Sequence, residues 1–451
     1  MNRVNVNLVL IILAVCLLLS SHARAATLVA ASCSNADVQT QVNAAKDGDT
    51  VSIPAGTCTW TGTVSWTNQN ISVIGAGVSS TYINASTRAF NIGISNIAKA
   101  SWRLSGFTLQ GVASSNGLIN INASSAPTWS YGWRIDHINI TYTGSIANDP
   151  LTIWGVTYGL IDDVNFSIGG GGTFILVAGY MGAEDGSSIS KLLGLYNISL
   201  PLDLGTYKAV YIETCTFSNG GSGAYFAAFD SSAGGARVVF RYNTTGGNVY
   251  AHWNRTGEID GIKYEVYNNT FTGDANNQIP IRLEAGTGVI FNNTVSTSLS
   301  IPQIWIDERR GCQDENSAPE LMCDGTHNWD GDVESSGWPC LGQIGRAPGL
   351  DPPYSSSSYA SSSPLYAWNN GNQTGCSTGG SCTNSVNLVP LTCSSGVDYT
   401  LFLRTTGNPH SDGSVDYVNN GTTPMPGYTP YMYPHPLSAP LAPPTNLQIA
   451  P

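Results

Sequence analysis

Apolar and polar positions along this chain fall into a six-residue phrase that keeps returning: apolar, polar, polar, often Asn, polar, apolar. Its copies run Ile135–Ile140, Ile161–Phe166, Ile212–Phe217, Phe240–Thr245, Val266–Phe271 and Ile290–Val295. They are spaced by about 24 to 28 residues, apart from one gap of about 51, close to twice the unit. One strand phrase per repeat in the twenties predicts a solenoid, in which each unit buries its apolar face only by stacking on its neighbours.

Period-two alternation sorts the phrase by facing. Ile135, Ile161, Ile212, Phe240, Val266 and Ile290 point inward. The next residues then form one outward row: Asp136, Asp162, Glu213, Arg241, Tyr267 and Phe291. A bend follows. Asn243, Asn269 and Asn293 sit there, as residues that tolerate left-handed backbone and whose amides can bond from coil to coil. Ile138 and Val164 hold that site in earlier coils, so the ladder is partial. Upstream, Ser34 and Asp37 mark a helix start, and Val38 and Val42 give it one apolar stripe. A first coil exposes its apolar end, and this helix is positioned to cap it. The missing unit between 166 and 217 is attributed to an insertion around Gly169–Leu204.

The composition supports an all-β chain with many turns. Only 11% of residues are charged, and the formal net charge is −12. Such a surface repels polyanions, so nucleic acid is not an expected partner. Residues 1–25 read as an export signal: Arg3, an apolar stretch Leu8 to Leu19, and Ala23-Arg24-Ala25 before cleavage. The apolar stretch is too short for a membrane span. Export favours disulfides. Cys33 and Cys58 flank the capping helix and are expected to pair. Cys312, Cys323, Cys340, Cys376, Cys382 and Cys393 permit three bridges of open connectivity, and Cys215 reads as a buried free thiol. The expected organisation is a solenoid over 26–305, a Cys-rich extension over 306–435 packed on it, and a Pro-rich tail over 436–451, in a monomer.

Asp47–Gly56 (DGDTVSIPAG) followed by Ile71–Gly77 (ISVIGAG) resembles the first coils of the pectate-lyase-like superfamily of right-handed parallel β-helices. The resemblance spans about residues 33–300. It implies an all-β right-handed parallel β-helix; activities in the superfamily range over lyases, hydrolases, esterases, tailspikes and adhesins. Trp133-Arg134-Ile135-Asp136-His137 resembles the W-I-D-H phrase of calcium-dependent pectate lyases, with Arg134 intervening; there the Asp belongs to the calcium site. Pro280–Gly286 before Asn292-Asn293 resembles their P-R-x-R-x-G segment, whose Arg acts as base. Arg282 is the nearest match, and Glu284 stands where a second Arg is expected.

Two constellations follow. Asp136, Asp162, Asp163 and Glu213 lie on adjacent coils about 4.8 Å apart, close enough to share a Ca²⁺ that would neutralise an acidic sugar. The alternative is a solvated polar face. Arg282, Arg241, His252, Glu265 and Glu284 form a candidate catalytic set, with Tyr211, Trp253 and Tyr267 as sugar-stacking partners. The alternative there is structural ion pairs between coils. The leading functional reading is an exported lyase acting on a uronic-acid polysaccharide by β-elimination. A non-catalytic glycan-binding surface protein and a glycoside hydrolase are the other two.

Overall fold

The computed structural model describes residues between 25 and 439 in stretches, the principal ones being 25–112, 129–143, 149–169, 202–219, 235–251, 261–272, 286–295, 361–370 and 421–439. Residues 1–24, where an export signal was expected, His252, Trp253, the six C-terminal cysteines and the tail beyond 439 lie outside the described residues.

The chain is an all-β parallel β-helix. Its strands form an 18-stranded and a 10-stranded sheet, and every pairing in these two is parallel and in sequential coil order. The predicted repeat is the register itself: Ile135 pairs with Ile161, Ile161 with Ile212, Ile212 with Phe240, Phe240 with Val266 and Val266 with Ile290. All six are at most 1% exposed, so the apolar row is the core. Like side chains stack within it: the Phe166 and Phe217 rings lie 4.8 Å apart and near-parallel, and Trp102 and Trp133 stack at 5.5 Å. Trp60, Trp66, Trp102 and Trp133 are likewise buried and fill the interior.

The helix Asn35–Ala44 covers the N-terminal end, buries Val38 and Val42, and is capped by Ser34 accepting from the Asp37 amide. The Cys33–Cys58 disulfide ties this cap to the first coil. At the other end the stack runs past residue 305. Leu365–Trp368 pairs with Thr287–Phe291, and Tyr417–Asn419 pairs with Leu365–Trp368 in turn.

The bend differs from the sequence expectation by one residue. Left-handed backbone is carried by His137, Asp163, Thr214, Tyr242, Asn268, Asn292 and Asn369, not by the Asn of the ladder. Asn243, Asn269 and Asn293 follow it with their side chains turned inward. Each Oδ1 accepts from the backbone amide one coil back: Cys215 to Asn243 at 2.9 Å, Asn243 to Asn269 at 2.9 Å, Asn269 to Asn293 at 3.2 Å. Each Nδ2 donates to a carbonyl of the preceding coil, at Ile212, Phe240 and Val266. The strands break at this corner, and the buried amides replace ladder bonds that the backbone cannot make there. Asn370 extends the ladder, and Cys215, a buried free thiol, begins it.

Candidate functional site

The outward row was expected to face solvent. It does not. Asp136, Asp162, Glu213, Arg241 and Tyr267 are all at most 2% exposed. From Glu213 onward the reason is the segment 421–439, which crosses the face of the long sheet. Its Met425, Tyr428, Tyr431 and Leu437 pack on Leu160, Tyr211, Val239, Tyr267, Val289, Phe291 and Trp368 as a second apolar cluster. Tyr267, Phe291 and Trp368 stack coil on coil at 4.5 and 4.4 Å, with nearly parallel rings. Tyr211 and Tyr267, candidate sugar-stacking residues, lie inside this cluster.

Charges under this strap are matched in place. Arg241 donates from Nε to Glu213 at 2.7 Å, from Nη1 to the Tyr267 hydroxyl and the Tyr431 carbonyl, and from Nη2 to the Met432 carbonyl. Glu213 also accepts the His435 amide at 3.0 Å. Glu265 accepts from the Tyr428 hydroxyl, the Gly205 amide and Lys263. Gly205 has φ +71°, and a Cβ there would lie 2.0 Å from the Thr429 carbonyl oxygen, so this close approach demands glycine. His435 is 1% exposed; its Nδ1 accepts the Leu437 amide, and burial followed by Arg241 and Arg134 pushes its pKa down to about 3.

Arg282 and Glu284 lie elsewhere. Arg282 belongs to the 10-stranded sheet, in register with Tyr250 and Trp305, and its Nη2 reaches Glu284 at 2.9 Å. The candidate catalytic set is thus divided between two faces of the helix, with Arg241 and Glu265 on one and Arg282 and Glu284 on the other.

The acidic coils keep one open edge. Arg103 grips Asp136 with two bonds, at 2.7 and 2.5 Å, and Arg134 grips Asp162 at 2.8 and 2.7 Å. Burial disfavours the Asp136 charge, but Arg103, Arg134 and His137 outweigh it and hold its pKa low. Burial pushes Asp162 up to about 6 against the pull of Arg134. With the oxygens of Asp136, Asp162 and Glu213 engaged this way, the four-carboxylate set does not fit a Ca²⁺.

One residue further on, the bend column faces out. His137 and Asp163 have side chains 59% and 49% exposed. His137 Nδ1 lies 2.7 Å from Asp136 Oδ2, and Nε2 lies 4.0 Å from Asp163. A buried carboxylate at Nδ1 fixes the tautomer and leaves the Nε2 lone pair toward solvent. Beside this column runs a second outward row in register: Asn139, Asn165, Thr216, Thr244, Thr270 and Thr294. Asn165, Thr216, Thr244 and Thr294 are exposed. The row spans five coil steps, about 24 Å, of uncharged hydroxyl and amide groups. His137 was not singled out from the sequence, although it closes the Trp133–His137 phrase.

The chain matches no protein-family model and no curated protein sequence. Among solved structures it is similar to an alginate lyase from Paenibacillus sp. str. FPU-7, with 14% identity over 62% of this chain and 90% of that one and a TM-score of 0.34. It is also similar to the catalytic domain of a GH87 α-1,3-glucanase in complex with nigerose, at 11% identity, 88% and 67% coverage and a TM-score of 0.27. A third is ORF18 of Geobacillus virus E2, at 14% identity, 58% and 53% coverage and a TM-score of 0.26. The β-helix assignment rests on the strand register of this chain. Among the described residues no helix is long and apolar enough to cross a membrane.

Proposed function

We propose that this protein is an exported, polysaccharide-active β-helix of the pectate-lyase-like kind, a lyase that cleaves a uronic-acid polymer along the bend column. The observation that carries the reading is the exposed His137 held by buried Asp136 at one end of the hydroxyl and amide row. Such a row suits a long, hydroxyl-rich chain laid parallel to the helix axis.

In this mechanism His137 Nε2 takes the C5 proton of a uronate residue. The C5–H electrons form the C4=C5 double bond while the C4–O bond breaks. The leaving oxygen is protonated by the imidazolium or by water. Asp136, through its contact with Nδ1, orients the ring with Nε2 toward the substrate. A glycosidase would need two carboxyl groups flanking the bond, and among the described residues of the column only Asp163 offers one.

The test is incubation of the mature chain with polygalacturonate, alginate and a neutral glucan, with and without chelator. Unsaturated ends from a polyuronate are expected, with or without chelator. His137→Ala should lower kcat by about 10² to 10⁴-fold without changing the melting temperature. Loss in Arg282→Ala with activity retained in His137→Ala would move the base to the opposite sheet. Binding without cleavage of any polymer would favour a glycan-binding surface protein, and reducing ends without unsaturation a hydrolase.

A further inference from the structure

Of the large hydrophobic side chains exposed among the described residues, three are gathered at one place: Tyr242 (36%), Met432 (62%) and Tyr433 (44%). The Tyr242 and Tyr433 rings stack with centroids 3.7 Å apart. Tyr242 belongs to the bend column three coils beyond His137, through Asp163 and Thr214. Three coil steps are about 14 Å.

Tyr242 is costly where it stands. Its φ is +57°, a conformation that disfavours a bulky side chain and that the next three coils fill with Asn268, Asn292 and Asn369. The need for a clamp on the strap does not explain it. The strap is already held by the Arg241 bonds to the Tyr431 and Met432 carbonyls, by Glu213 on the His435 amide, and by the apolar cluster beneath. A strained, exposed aromatic beside a second one is the arrangement expected at a ligand site.

We propose that Tyr242, Met432 and Tyr433 form an aromatic subsite for one pyranose ring of a polysaccharide whose reacting residue lies at His137. The inference rests on the lyase reading above and adds a binding position to it. Aromatic surface takes the C–H face of a sugar, and the Thr216, Thr244 and Thr270 hydroxyls alongside face its polar edge. Three side chains are far too small an area for a protein partner, which needs roughly 800 Å² per side. The C-terminal strap thereby contributes to substrate binding as well as to the fold.

Tyr242→Asn tests this, because it installs the residue that neighbouring coils carry; Tyr433→Ser is the second variant. Melting temperature, kcat and KM are measured on polygalacturonate and alginate, and on their di- and trisaccharides. The expected result is an unchanged or higher melting temperature, a KM on polymer raised about tenfold, kcat within twofold, and no change on disaccharides too short to span the distance. A lower melting temperature with polymer KM unchanged makes Tyr242 a clamp and overturns the subsite. Equal loss on disaccharide and polymer also overturns it, by placing the defect at His137. If the parent chain cleaves and Tyr242→Asn matches it, the subsite alone falls. If the parent neither binds nor cleaves either polymer, the lyase reading falls and the subsite with it.

Discussion

Two columns one residue apart run the length of this helix and meet opposite fates. Asp136, Asp162, Glu213, Arg241, Tyr267, Phe291 and Trp368 are buried. His137, Asp163, Thr214, Tyr242, Asn268, Asn292 and Asn369 carry the bend, and His137, Asp163 and Tyr242 among them are exposed. The first column holds the residue types that usually signal chemistry, yet its charges are matched by guanidinium, amide and hydroxyl groups. The second holds few such residues and faces solvent. A change of about 180° in direction between successive strand residues is expected. What the bend adds is that the second residue leaves the sheet, and His137 and Asp163 stay exposed there while Tyr242 meets the strap at Tyr433. Residue type therefore marks the cost of burial here, and exposure marks where a ligand can be met.

The sharpest way to break this contrast is at Arg241, the centre of the buried column. It is wholly buried, donates to four groups and stacks against Tyr211, with the guanidinium 4.8 Å from the ring. Arg241→Ala leaves Glu213 buried beside one backbone amide and strips two strap carbonyls of their donor. A loss of about 3–5 kcal/mol in chemical denaturation is expected. The paired change Arg241→Met with Glu213→Leu should recover much of it, since an apolar pair of similar volume often costs little. A loss below 1 kcal/mol in Arg241→Ala would show that the strap does not depend on this ion pair.

The second test uses acid. His435 is neutral in the folded chain, with a pKa of about 3, against about 6.5 when unfolded. Only the unfolded state gains a proton between those values, so stability is fully present above pH 6.5 and falls as pH drops toward 3. At pH 5 the deficit from this group is about 2 kcal/mol. The groups facing it are Glu213 and Arg241 on the sheet, Arg134 an earlier coil away, and the rings of Tyr131, Tyr211 and Tyr431. His435→Asn keeps an acceptor for the Leu437 amide and should flatten the dependence. Equal acid sensitivity in parent and variant would place the acid-labile group elsewhere.

How far the sequence could be read follows from the same geometry. Ile135, Ile161 and their successors announced both the repeat and the register, because a buried row tolerates only apolar residues. Cys33 and Cys58 were legible as a pair, and Ser34 as a cap. The left-handed column was misplaced by one because Asn at 268–269 and 292–293 is doubled. Either member suits the bend by type, and only the inward amide bonds of the second distinguish them. The strap was illegible for a different reason. Residues 421–439 contain no strand or long helix, so no periodicity betrays that Tyr428, Tyr431 and His435 return to coils some 160 to 220 residues earlier. Without it the charged row reads as solvent-facing, and the dyad at His137 stays hidden behind a more conspicuous row of carboxylates.

The smallest expected effect lies on the exposed row. Thr244 points outward between buried Asn243 and buried Thr245, and its backbone amide donates to the Cys215 carbonyl. Thr244→Val keeps the shape and β-branched character of the strand while deleting one hydroxyl. Stability should therefore move by less than about 0.5 kcal/mol. Each hydroxyl lost from a polysaccharide site removes one neutral hydrogen bond, about 0.5–1.5 kcal/mol. KM on polymer should rise about two- to tenfold with kcat unchanged. The same change at Thr294, two coils further from His137, should matter only for the longer oligosaccharides. Identical kinetics for parent, Thr244→Val and Thr294→Val on every chain length would mean the row lies outside the substrate path, and would leave the contrast between the two columns one of exposure alone.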